Sequence, residues 1–425
     1  MMFTSLKKII SSYSTLELHI LNVIKAQFFI QIVGGAFFLI LNIFLAKNGY
    51  SDSEIAHFIS FRFLAVMLLA FPLGFFIKGR VLRPFLIFGS LGVPIIAILI
   101  VLVIEYSFRG FLPILFILWG ILYTFFQVSV LPYIMRNTEV ENQSHAISLS
   151  FATNSFGMIF SGLLIFLFDN LTSINNGQVL IIISCIGFFG LRYLISLNTD
   201  NLSKESSKSI SVFSNNLDWL LIIKAIIPTL IIAIGAGLTI PFINLFFFHN
   251  FLIEASEFAL IGSCTSILVA TSSLFVPKVK SRFGYKKGIT VSQMIAVVAL
   301  IILATTEFFK DYWFAFPLAL SCYLLRAPLM NLAAPMTSQL TMNYVGKNNQ
   351  EMLSAIMAAI WSGSWYFSSQ IFRFLIDLGF PYSYIFYITA AFYSLGILCY
   401  YFLILSYQRK NIDEKLTLNL PDKSI

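Results

Sequence analysis

Two arginines stand among residues that do not suit them. Arg62 lies in SEIAHFISFRFLAV, residues 53–66, and Arg326 in SCYLLRAPLMN, residues 321–331, each within a long apolar run. A guanidinium holds five N–H donors in a planar fork and stays charged at any physiological pH, so its chemistry is the binding of carboxylate or phosphate. Keeping that charge in hydrocarbon costs about 2.5–3.5 kcal/mol on insertion scales, which asks for a compensating role. An internal carboxylate would supply one, but all 19 acidic residues map to the ends of apolar runs, to loops or to tails. An arginine facing water without that partner is an anion site. The competing reading has each guanidinium bond backbone carbonyls or Asn and Gln amides and so lock its neighbours together. Pro328, two residues after Arg326, removes an N–H and leaves the carbonyl of Leu324 free.

The other charges within apolar runs have simpler accounts. Lys25 and Lys224 lie near the ends of their runs and can snorkel. Arg373 has Asp377 four residues on, a spacing that pairs charges on one helix face. Uncharged polar residues recur in the runs as Gln27, Gln31, Asn42, Gln127, Asn154, Asn244 and Asn331. In membrane helices such residues also serve as interhelical glue. In WSGSWYFSS, residues 361–369, Trp361 and Trp365 share a helix face and offer either core packing or a rest for an apolar solute. The histidines His19, His57, His145 and His249 are scattered, and the four cysteines lack CxxC spacing, so neither metal, disulfide nor cofactor is expected.

The elements that carry these residues follow from composition. The chain of 425 residues is 58% hydrophobic and 11% charged, against about 25% charged in soluble domains. Runs of roughly 20 apolar residues follow one another, each long enough to cross a bilayer as a helix. In lipid only helices and closed barrels satisfy every backbone amide, and these runs are too long and too uniform for barrel strands. The expected fold is therefore all-α, a polytopic protein of twelve transmembrane helices near 21–46, 54–77, 85–105, 111–134, 146–168, 178–197, 219–248, 255–277, 288–306, 313–335, 350–376 and 382–407. With both termini inside, nineteen of the 27 Lys and Arg fall on the inner side. Only Lys47, Arg109 and Lys310 fall outside, and five lie within spans. That asymmetry sets a cytoplasmic location for both termini in the cell's inner, or plasma, membrane. The net charge of +8 is thus a topology signal and not a nucleic-acid footprint.

The least apolar internal stretch, residues 198–216, reads as a cytoplasmic linker between six-helix bundles at 1–197 and 217–408, with a tail at 409–425. The halves match at an offset of 203 residues, as in Ser53 and Ser256, Ser60 and Ser263, Gly74 and Pro277, Arg83 and Lys286, and Pro132 and Pro335. Asn42 and Asn244 match with a slip of one. Arg62 is charged where its counterpart is Thr265. An offset of six helices returns the chain to the same side, so the repeat is parallel, about an axis along the membrane normal.

The segment PKVKSRFGYKKG, residues 277–288, and its first-half counterpart GFFIKGRVLRP, residues 74–84, resemble the loop signature of the major facilitator superfamily. Gly74, Arg83, Arg282, Gly284 and Lys286 occupy signature positions, and Lys78 stands where the family has an acidic residue. The connections around residues 131–148 and 334–354 are similar to family members as well. The resemblance spans nearly the whole chain. It implies a gating role for the loop residues, although Lys78 cannot serve as the family's carboxylate latch. It also implies that helices one, four, seven and ten line a central cavity, which favours Gln27, Gln31, Gln127, Asn244 and Asn331 as solute contacts. The fifth helix lacks the Gly-Pro pattern of the family's antiporters.

The expected function is a secondary transporter of a small organic solute by alternating access, the solute being an anion if Arg62 and Arg326 face the pathway. Its expected partners are that solute and the lipid bilayer, with a proton as candidate coupling ion, no nucleic acid, and a monomeric state. His57 is the one titratable candidate within the spans. Three other readings stay open: a lipid-linked sugar flippase, a membrane-embedded enzyme, and a sensor on a transporter fold. An enzyme would want His, Asp, Glu or Ser converging at one membrane face, and the sequence displays no such cluster.

Overall fold

The computed structural model describes residues 16–77, 80–172, 174–197, 218–346 and 350–418. The expected linker at 198–216 and Lys78 lie outside the described residues. Among those residues the structure is helical throughout, without strands. The first six helices are α1 (Leu18–Lys47), α2 (Asp52–Phe76), α3 (Arg83–Glu105), α4 (Leu112–Asn137), α5 (Val140–Leu171) and α6 (Asn176–Gly187, continued as Phe189–Ile195). The next are α7 (Trp219–Thr239, continued as Ile243–Phe251), α8 (Ala255–Leu274), α9 (Val276–Thr305), α10 (Ala315–Val345), α11 (Gln350–Asp377) and α12 (Tyr382–Leu418). Eleven are long and apolar enough to cross a membrane. The twelfth, α11, is diluted by its Ser, Gly and Gln residues.

The breaks have local causes. Proline opens α3 and α4 in the first turn, where its missing N–H costs nothing. Asn175 and Gln178 form a reciprocal capping box at the start of α6. A 3-10 turn at Ile240–Phe242, built on Pro241, divides α7. The signature segment of the second half is helical rather than an open loop. Residues of α9 run through it and break only at Gly284, whose φ of 65° suits a residue without a Cβ. The last helix also continues beyond residue 407, to Leu418.

By packing, the chain forms two compact units. The first comprises Met1–Ile210, Ile240–Ala270 and Trp365–Phe380, and the second Ser211–Thr239, Thr271–Ser364 and Pro381–Ile425. The first unit thus takes in one end each of α7 and α11 and all of α8 but its last turn. These are the ends on the side of Lys47, opposite the side of Arg83.

The first unit is densely bonded on its Lys47 side. Asn42 donates to the Pro241 carbonyl at 2.6 Å and to Asn244 Oδ1 at 3.0 Å, and Asn244 Nδ2 reaches the Leu39 carbonyl at 3.1 Å. Phe242 stacks on Phe372 with centroids 3.9 Å apart. Lys47 pairs with Glu254, His249 with Asp52, and Arg109 with Glu54. Tyr50 lies under Arg109, and its burial holds the phenol above its ordinary pKa although the cation pulls the other way. Along α2 and α11, Phe63 meets Trp365 at 5.1 Å, Gln370 donates to Ser60 at 2.6 Å, and Arg373 donates to His57 Nδ1 at 2.9 Å. Arg373 therefore serves His57 as well as Asp377, which lies 3.8 Å away.

In the second unit α9 packs on α10, and α7 and α9 on α12. Thr239 bonds Thr389 at 2.7 Å, and Thr229 bonds Tyr400 at 2.7 Å.

The approach of α5 to α8 depends on one glycine. A Cβ on Gly162 would fall 2.0 Å from Ser263 Oγ and 2.2 Å from the Ala259 carbonyl oxygen, whereas one on Gly74 meets nothing within 4 Å. Small residues of this kind let membrane helices touch backbone to backbone. We expect Gly162→Val to destabilise the purified protein by about 1–3 kcal/mol, the usual cost of overpacking. Gly74→Val should leave the melting temperature in detergent within a degree or two of the parent. Equal melting temperatures for the two variants would refute this assignment.

Candidate functional site

Arg62 sits on α2 where α4 comes closest to it. A Cβ on Gly120 would fall 2.6 Å from the Arg62 carbonyl oxygen, so only glycine permits the contact. That contact brings Trp119 and Tyr123, four residues apart on α4, against the guanidinium. Arg62 Cζ lies 4.3 Å from the Trp119 ring centroid and 5.2 Å from that of Tyr123. Such contacts contribute about 0.5–2 kcal/mol each, the larger value when water is excluded. Among the described residues Arg62 makes no hydrogen bond or ion pair. Its rings hold it, and its in-plane N–H donors are left over.

Tyr123 links this arginine to two of the expected solute contacts. Its hydroxyl donates to Gln31 Oε1 at 3.0 Å and accepts from Gln127 Nε2 at 2.9 Å. Gln31 is 7% exposed, and its Nε2 has no partner. A buried amide donor left open costs about 1–3 kcal/mol. A pocket of about 30 Å³, room for a water or two, lies beside Arg62 among Phe37, Phe38, Phe63, Phe116, Trp119, Asn42 and Pro241. The group therefore offers donors, from Arg62 and Gln31, in aromatic surroundings and with no carboxylate among the described residues paired to Arg62.

Arg326, in the second unit, is 4% exposed. Its Nη2 donates to the Tyr393 hydroxyl at 3.0 Å, and its Cζ lies 5.6 Å from that ring. Its Nε has no partner, and no carboxylate among the described residues lies within ion-pair distance. Tyr123 precedes Arg326 by the same 203 residues that relate Pro132 to Pro335. The repeat thus writes a phenol in one half where it writes a guanidinium in the other.

The remaining candidates are dispersed. Gln27 accepts from Ser150 at 2.7 Å and ties α1 to α5. Asn244 is engaged with Asn42 and Leu39 as described, and Asn331 is exposed and bonds its own helix at the Ala327 carbonyl. Trp365 packs on Phe63, and Trp361 is 41% exposed. Of the loop residues, Arg83 Nη2 caps α6 at the Ile195 carbonyl at 2.6 Å, and Gly74 is exposed. Arg282 lies 5.5 Å from the Phe283 ring and Lys286 4.8 Å from the Tyr401 ring, on either side of the break at Gly284. Arg83 therefore meets helix-end carbonyls, where a cation is stabilised by the helix dipole.

Sequence reasoning missed Trp119, Tyr123 and Tyr393. A signal existed for the first two: Trp119, Tyr123 and Gln127 recur every four residues and so share one face of α4.

Comparison with known proteins agrees with this architecture. No curated protein matches the sequence. The nucleoside transporter NupG superposes with a TM-score of 0.72 at 12% identity over 92% of this chain and 99% of its own. A D-xylose–proton symporter superposes at 0.69 with 14% identity, covering 92% and 96%. A bacterial homologue of the iron transporter ferroportin, in an inward-facing state, gives 0.67 with 14% identity, covering 91% and 98%. At these identities the likeness is one of fold. The family profile described as Major Facilitator Superfamily matches residues 24–369. With that match over most of its length, the chain belongs to the major facilitator superfamily and is a multi-pass membrane protein of this transporter family.

Proposed function

We propose that the protein is a secondary transporter that carries a small organic anion by alternating access, with Arg62 as the charge that binds it. One observation carries the reading: a guanidinium on a membrane helix, set against two rings and without a counter-ion among the described residues. Such a charge has in effect been kept open for a ligand. Gln31 Nε2 offers a second donor, while Gln127 orients Tyr123. Arg326 on Tyr393 is a second cation, in the second unit and at a position unrelated to Arg62 by the repeat. The charge count supports a topology with both termini in the cytoplasm and the Lys47 side outside the cell's inner membrane. The bonded ends of α7, α8 and α11 on that side then act as the outer closure of the pathway. Opening must break the Asn42–Asn244 pair and the α2–α11 contacts. These are directional bonds that can be exchanged for water, which suits a closure meant to be reversible.

Transport of charge tests this directly. Proteoliposomes adsorbed on a solid-supported membrane should give currents on addition of organic anions such as benzoate, lactate or succinate, and none with xylose or uridine. Arg62→Gln should lower apparent affinity at least tenfold, in line with about 1.5–3 kcal/mol for a hydrogen bond to a charged group. Arg326→Gln should lower it as well. Currents with the neutral solutes alone, or unchanged affinity in both variants, would end the anion reading.

The support for Arg62 is separately testable. Gly120→Leu should push α4 away from α2 and remove the rings from the guanidinium. We expect a loss of anion currents comparable to that of Arg62→Gln, together with reduced quenching of Trp fluorescence on anion addition. Full activity in Gly120→Leu would show that the stacked arrangement is dispensable.

A further inference from the structure

We infer that His57 is a proton-binding site whose occupancy decides whether α11 stays bonded to α2. The two helices meet along an antiparallel seam within the first unit. His57, Ser60 and Phe63 follow at steps of three on α2, and they meet Arg373, Gln370 and Trp365 in descending order on α11. Of the two polar bonds in that seam, only the one at His57 depends on a proton.

Arg373 Nη1 lies 2.9 Å from His57 Nδ1. A guanidinium has donors and no acceptor, so this bond exists only while Nδ1 carries no proton and the ring is neutral. A proton taken up at Nδ1 would remove the acceptor and set two cations at hydrogen-bond distance. Arg373 then has a second partner within reach, since its Nε lies 3.8 Å from Asp377 Oδ2 on its own helix. Turning to Asp377 keeps the guanidinium paired and gives up its bond to α2. The arginine is thus shared between a group on α2 and a group on α11, and the proton selects between them.

The surroundings of His57 add no competing charge. Phe61 meets its ring edge-to-face at 4.8 Å, and Phe58 lies 6.1 Å away. The other charged groups at this end have partners of their own: Arg109 ahead of α4 with Glu54, Lys47 of α1 with Glu254, and His249 of α7 with Asp52. The last pair responds in the opposite sense, because a protonated His249 attracts Asp52 more strongly, but its histidine is exposed and such pairs contribute little. The duplicated chain has Leu260 at the position matching His57, so the second half carries no copy of the group. The link to transport rests on the reading of these bonded ends as a closure, which acid would then loosen.

Trp365 reports on the seam from its place against Phe63. Acrylamide quenching is measured on the purified full-length protein, with the share of Trp365 taken as the difference from Trp365→Phe. That share should rise about twofold from about pH 8 to about pH 5, the range in which imidazole titrates. His57→Gln keeps an acceptor for Arg373 at every pH and should hold the quenching at its alkaline level throughout. Arg373→Gln can turn either its amide donor or its amide oxygen to His57 and should do the same, which serves where the first variant does not fold. His249→Gln should leave the acid response intact. Quenching indifferent to pH in the parent, or an acid response that survives His57→Gln, would overturn the proton site. Organic-anion currents indifferent to pH while Trp365 responds would overturn the closure reading and leave the proton site standing.

Discussion

A cation in hydrocarbon must find something to face, and the region around Arg62 is organised by that requirement. The cost of the charge in a low-dielectric setting is several kcal/mol, more than one cation–π contact returns. Two rings and the open edge of a pocket divide the task. The rings come from α4, they reach Arg62 because Gly120 has no side chain, and Tyr123 is in turn held by Gln31 and Gln127. What remains unpaired after this arrangement is the in-plane edge of the guanidinium and one amide of Gln31. Had a carboxylate stood nearby, the same arginine would have been a structural ion pair with nothing left to offer a solute.

A related constraint governs the bonded ends of α7, α8 and α11. Helices in lipid gain little from apolar contact with one another, since lipid tails serve equally well. Association therefore leans on small residues and on polar bonds such as Asn42 to Asn244 and Gln370 to Ser60. Ionic contacts are confined to the helix ends, where Lys47, Asp52, Arg109, His249 and Glu254 meet water. Exposed pairs like these contribute little stability individually, about 0–1 kcal/mol.

Much of the architecture was legible because a bilayer imposes it. Length and apolarity located twelve helices, and α11 was recognisable even though its polar residues dilute it. Boundaries were less legible where backbone geometry decides them: Pro241 splits α7, and Gly284 breaks α9 within a segment whose cations suggested a loop. At the site, the arginines declared themselves through their cost. Their partners did not, because 16% of the chain is aromatic and composition does not distinguish a stacking ring from a packing one. Polar residues were ambiguous for a related reason. Gln31 and Gln27 lie four residues apart on α1, yet one keeps a free donor beside Tyr123 while the other ties α1 to α5 through Ser150. Only contact across helices separates the two roles. Asn42 and Asn244 had looked like copies of one position in a duplicated chain, and they are bonded to each other.

The central claim is that the counter-ion of Arg62 comes from the solute. The most direct measurement is a structure of the protein with 4-bromobenzoate, the bromine located by its anomalous signal. The account predicts carboxylate oxygens within about 2.7–2.9 Å of the Arg62 N–H donors, the range of a charge-assisted bond. A bound anion elsewhere, with Arg62 turned onto a backbone carbonyl or a protein carboxylate, would contradict it.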